Sequence, residues 1–71
     1  MDDLIGTLVS MTQAETVDQM VIVLQVERIR HTLTVNRSRL VVTPRADWVG
    51  RTVRVIHMGP IVLDMTLEVM A

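Results

Sequence analysis

The sequence predicts a mainly β fold, a small antiparallel sheet or barrel carrying one short helical turn. Three observations carry that reading. The apolar residues are overwhelmingly Val, Ile, Leu and Met, and branched Val and Ile side chains pack well on a pleated surface. Period-two alternation recurs in four segments after residue 20. Asn36, Pro44, Gly50, Gly59 and Pro60 punctuate those segments where turns are needed.

Residues 1–19 form an N-terminal segment that reads two ways. Leu4, Ile5, Leu8, Val9 and Met11 recur at helical spacing, and Asp2 or Asp3 could cap a short helix. Thr12-Gln13-Ala14-Glu15 fits a capping box, but Thr16 and Val17 continue it poorly, so a strand stays open. From Met20 to Leu24 an unbroken apolar run predicts a strand buried on both faces, half exposed by Glu27. His31 to Val35 then alternates strictly, with Leu33 and Val35 on one face.

That phase breaks at Asn36-Arg37-Ser38, which predicts a turn or bulge joining strands at about 29–35 and 39–43. Pro44, lacking an N–H, ends the second strand. Arg45 to Gly50 reads as one helical turn, opened by Pro44 and closed by glycine. Arg51–His57 is a strand with Val53 and Val55 inward and Thr52, Arg54 and Ile56 outward. After a Met58-Gly59-Pro60 turn, Ile61, Leu63, Met65, Leu67 and Val69 alternate with Val62, Asp64, Thr66 and Glu68. Together these segments make a single domain over 1–71, with a β-rich core at 20–71.

A chain of 71 residues buries only about 60% of its unfolded surface, and such domains lean on disulfides, metals or a second subunit. There is no cysteine, which removes disulfides, zinc fingers and thiol chemistry. His31 and His57 alone do not make a zinc site, so no metal and no cofactor is expected. Self-association as a homodimer or higher oligomer is the expected extra source of stability. No apolar stretch reaches the roughly 18 residues that span a bilayer, and Met1-Asp2-Asp3 is acidic where a secretory signal is basic. A cytoplasmic protein with no membrane partner is the expectation.

Net charge is −1, but the signs are segregated. All seven basic residues are arginines, at 28, 30, 37, 39, 45, 51 and 54, and Asp47 is the only acid between the first and the last. That segment is therefore +6, and such asymmetry points to a polyanion. Guanidinium groups meet phosphates bidentately and also read guanine edges. Arg30, Arg37, Arg39, Arg45, Arg51 and Arg54 are the candidate nucleic-acid-binding residues, for DNA or RNA. Trp48 is the only aromatic, which disfavours modules that stack bases on aromatic platforms. No Gly-rich phosphate loop is present and Asp64 and Glu68 alternate on one strand face, so neither an enzyme nor a small-molecule substrate is expected.

Asn36 to Ile56 resembles small archaeal putative transposon-encoded proteins, at Ser38, Arg39, Pro44, Trp48, Val49, Gly50, Val53, Val55 and Ile56. That family is similar in turn to the swapped-hairpin domains of AbrB-type transcription factors and MazE-type antitoxins. The resemblance covers 21 residues and departs where Arg37 separates Asn36 from Ser38. It implies an intertwined β dimer and a DNA-binding regulator that uses Arg37, Arg39, Arg45 and Arg51. The alternative is an assembly protein that self-associates through the apolar strands 20–24 and 61–69, with arginines serving solubility.

Overall fold

A computed structural model describes residues 2–40 and 44–68. The chain is mainly β, as expected, with β1 (Asp2–Gln13), β2 (Gln19–Val26), β3 (Ile29–Asn36), β4 (Thr52–Met58) and β5 (Ile61–Leu67). They close into a barrel in the order β1-β2-β3-β5-β4, with β4 returning to β1. Every pairing is antiparallel except β3 with β5, which is parallel and spans only Thr34↔Ile61 and Val35↔Val62.

The N-terminal segment resolves as a strand. Asp2–Thr7 pairs with β4, and Thr7–Gln13 pairs with β2. The exchange of partners is fixed at Leu8, whose N–H donates to the Arg51 carbonyl (3.0 Å) while its own carbonyl accepts from Gly50 (2.7 Å). A bulge at Val9 follows, because Leu8 pairs with Leu24 and Ser10 already with Val23. Leu8 is fully buried, and Leu4 and Met11 pack against the same core.

Along β2, Met20, Ile22 and Leu24 are buried while Val21 and Val23 stay half exposed. The strand is thus buried on one face, which corrects the expectation of two. The β2–β3 hairpin closes through Glu27 and Arg28, with Glu27 at φ 57°. Leu33 and Val35 face inward as expected.

After Asn36 the ladder does stop. Arg37–Arg39 form a 3₁₀ turn, capped by the Asn36 side chain, which accepts from the Ser38 N–H (3.1 Å) and hydroxyl (2.7 Å). The second strand expected at 39–43 therefore loses Arg39 to this turn, and residues 41–43 lie outside the described residues. The helical turn expected at 45–50 is a second 3₁₀ turn at Ala46–Trp48, followed by Gly50 at φ 89°, which glycine adopts without strain. Trp48 is only 5% exposed and Pro44 is buried, so this connection lies on the aliphatic core.

β4 has the expected inward and outward residues. β5 does not alternate cleanly. A register shift opposite Ile56/His57 makes Leu63 an extra residue, so Val62 and Met65 are the fully buried pair and Ile61 is 39% exposed. The face expected for Ile61 and Val62 is inverted, and Val69 lies outside the described residues.

The core comprises Leu8, Met20, Ile22, Leu24, Leu33, Val35, Trp48, Val53, Val55, Val62 and Met65. Gly6 matters to its closure. A Cβ there would sit 2.5 Å from the Gln25 carbonyl oxygen and 2.8 Å from Val26 Cγ2, where β1 crosses onto β2. Replacing Gly6 with alanine should cost about 1–3 kcal/mol, the usual penalty of overpacking, read as a lowered denaturation midpoint. An unchanged midpoint would show that the crossing can open without loss.

Candidate nucleic-acid interface

The outer wall of β2 and β3 is built from the residues that alternate away from the core. On β3 these are Arg30, Thr32, Thr34 and Asn36, and opposite them on β2 stand Gln25, Val23, Val21 and Gln19. Ser10 and Thr12 of β1 extend the same wall, facing Val23 and Val21. None of these ten side chains carries a carboxylate. From Arg30 to Asn36 the stripe runs about 20 Å at the usual strand rise.

Arginines mark both ends. Arg28 sits in the β2–β3 turn beside Arg30, and Arg37 and Arg39 occupy the 3₁₀ turn after Asn36. Arg37 is anchored, its backbone N–H donating to the Asp18 carbonyl (2.8 Å) and its Nη2 to Met20 Sδ (2.9 Å). Among the described residues none of these four arginines makes an ion pair with a carboxylate. Asp18 and Glu27, the acids in the adjoining turns, are exposed and likewise unpaired there.

A shallow groove of about 200 Å³ opens beside Arg39, lined also by Gln19, Thr34, Asn36 and Ile61. Its position follows from topology: the β1–β2 loop meets the 3₁₀ turn at Asp18–Arg37, and the β4–β5 turn is held by Thr34 N–H to Pro60 (2.7 Å). Drug-sized ligands occupy about 300–1,000 Å³, so this groove suits one small polar group. Its polar lining comprises two amides, a hydroxyl and a guanidinium, a set able to donate to an anion.

The opposite wall differs in sign. Asp3 of β1, Asp64 of β5 and Glu68 beyond it stand around Arg54 of β4. Arg54 is committed to Asp3, with Nε at 3.1 and 3.0 Å from the two carboxylate oxygens and Nη2 at 2.5 Å from Oδ2. These hydrogen bonds hold the Asp3 carboxyl below its ordinary 3.8 and raise the Arg54 guanidinium.

The sequence candidates therefore do not gather in one place. Arg37 and Arg39 come together, with Arg30 a strand's length away along the same face. Arg54 lies on the acidic wall, Arg45 is 3.6 Å from Asp47, and Arg51 sits at the entry to β4 beside Leu8. The sequence reading passed over Gln19, Thr32, Thr34 and Asn36; the polar residue at every second position of β3 was the available signal. His31 is half buried, and His57 donates from Nδ1 to the Gly59 carbonyl (2.8 Å), bracing the β4–β5 turn, with Nε2 buried and without a partner among the described residues. Comparison of the chain with protein-family models, with curated proteins and with solved structures finds no match.

Two measurements test this map. The depressed Asp3 group contributes stability above its unfolded pKa, and that contribution is lost as pH falls through the lower folded value. Asp3→Asn should therefore melt below the wild type near neutral pH, and the gap should close in acid below 3.8; a pH-independent gap would assign the loss to packing. Trp48, being buried, should keep a blue-shifted emission that added oligonucleotide does not quench. Strong quenching would make it a stacking residue.

Proposed function

We propose that this chain binds nucleic acid through the phosphodiester backbone, laying one strand along the outer wall of β2 and β3. The observation that carries the reading is the carboxylate-free stripe Arg30–Thr32–Thr34–Asn36, with Arg28 at one end and Arg37 and Arg39 at the other. Arg39, Asn36, Thr34 and Gln19 would receive one phosphate in the groove. Five-stranded barrels of the OB type use the strand 2–3 wall and the adjoining loops for oligonucleotides, an architectural analogy that counts for less than the charge map.

A single strand fits this surface better than duplex. Reading a major groove with a β ribbon needs two strands that project, whereas β2 and β3 are part of a closed wall. With Trp48 in the core, Val21, Val23 and the threonine methyls are the only apolar platform on this wall. Binding should then be led by phosphates, tolerant of sequence and sensitive to salt. A regulator or antitoxin-like role, as the Asn36–Ile56 resemblance implies, requires duplex affinity, which the same titration measures.

The test is fluorescence anisotropy with single-stranded and duplex oligonucleotides across a salt series. Replacing Arg37 and Arg39 together with alanine should flatten the slope of log affinity against log salt by about 1.4 per chain on a single strand. Arg45→Ala and Arg54→Ala should leave it unchanged, since both guanidiniums already face carboxylates. An equal effect from all four would mean net charge alone is sensed. No affinity at low salt for either polymer would move the assembly reading ahead.

A further inference from the structure

Closing a barrel normally consumes every strand edge, but here stretches of β1, β3 and β5 have a partner on one side only among the described residues, and the β3 stretch is the one that borders the basic wall. β5 pairs with β3 only at Thr34 and Val35, so Ile29–Leu33 has a partner strand on its β2 side alone among the described residues. Backbone geometry shows which groups are left open. The Thr34 N–H points away from β2, donating to Pro60, while the Arg37 N–H points toward it, donating to Asp18. Backbone direction alternates along a strand, so His31, Leu33 and Val35 bond to β2. Arg30 and Thr32 accordingly turn their N–H and C=O groups outward, at the free edge.

We propose that this edge pairs antiparallel with the same edge of a second copy, joining two barrels into one continuous β2–β3–β3–β2 surface. The edge is self-complementary. With His31 on the two-fold axis, Arg30 stands opposite the second copy's Thr32, and both residues present the donor and acceptor that such a pair exchanges. Two pairs give four N–H···O=C bonds. The side chains agree with this register: each arginine faces a threonine and never another arginine, and like charges directly opposite are what destabilise cross-strand pairs. The two arginines lie on a diagonal about 7–8 Å apart, solvated and screened by salt. Ile29, 64% exposed in the single chain, comes to stand beside the second copy's Leu33. An unrelated extended peptide would satisfy the same backbone groups, but only a second copy supplies this side-chain match on both sides at once.

The dimer rests on the edge and not on the nucleic-acid reading, so it is tested without ligand. Sedimentation of the wild type at micromolar concentration should give two chains. Thr32→Pro removes an edge N–H that β2 does not use, and Ile29→Lys charges an exposed side chain that the pairing would cover. Both variants should sediment as single chains with the wild-type far-ultraviolet spectrum. Ile29→Lys, altering only an exposed position, decides the matter if the proline variant misfolds. Amide exchange gives a second reading: the Arg30 and Thr32 amides should be protected at high concentration and lose at least tenfold of that protection on dilution. A wild type that sediments as one chain, an Ile29→Lys variant that stays paired, or a dimer whose Arg30 and Thr32 amides exchange freely would each overturn the proposal.

Discussion

The fold depends on β1 serving two partners. A five-stranded sheet closes only if the two strands at its ends also pair with each other, and Asp2–Gln13 makes that pairing by giving its first half to β4 and its second to β2. The transfer is confined to a few residues: Gly6, where no Cβ fits; Leu8, bonded through both backbone groups to the Gly50–Arg51 segment; and the bulge at Val9. Leu8 is also fully buried, so the residue that hands the strand over anchors it to the core. Fixing this crossing divides the exterior into two walls. One holds Asp3, Arg54, Asp64 and Glu68, and the other holds only neutral side chains and Arg30.

That same crossing explains why β1 was the least legible element. Inward positions 4, 6, 8 and 11 contain Leu4, a side-chain-less Gly6, Leu8 and Met11. The visible apolar residues then fall at i, i+4 and i+7, the signature of a helix face. A glycine and a bulge together turned a period of two into an apparent period near 3.6. β5 conceals its phase in a related way, since the bulge at Leu63 lets Val62 and Met65, three apart, share the interior. β3 and β4 contain no irregularity, and their inward residues were readable from alternation alone. Bulges answer to the twist and closure of the whole sheet, which one-dimensional periodicity does not contain.

The candidate site was legible in composition and not in placement. Clustering of arginine in the sequence suggested one basic surface, but strands separate neighbours on alternate faces and carry the chain from one barrel end to the other. Arg54 finds its carboxylate 51 residues away, a pairing only the β1–β4 register brings about. Arg37 and Arg39 stayed together because a 3₁₀ turn, unlike a strand, keeps consecutive side chains at one end of the molecule. The uncharged members of the wall drew no notice because Thr and Asn look like ordinary solvated strand residues until their acid-free setting is seen.

On the proposed reading, the energetics of phosphate binding would link the open edge of β3 to the arginine-flanked wall. Four arginines on one copy give at most about four phosphate contacts, hence a salt slope near −2.8 on a single strand. Between 50 and 200 mM salt, affinity would then fall about 50-fold, and without aromatic stacking little else compensates. Pairing two copies at Arg30 and Thr32, as proposed, would bring Arg28 and Arg30 of both copies toward the centre of one surface and double the contacts available to the same strand. The slope would approach −5.6, and a second barrel engaging a strand already held binds at high effective concentration. If both proposals hold, an aliphatic, 71-residue barrel with weak individual contacts would gain its affinity by repetition, which the edge of β3 left unpaired among the described residues would permit.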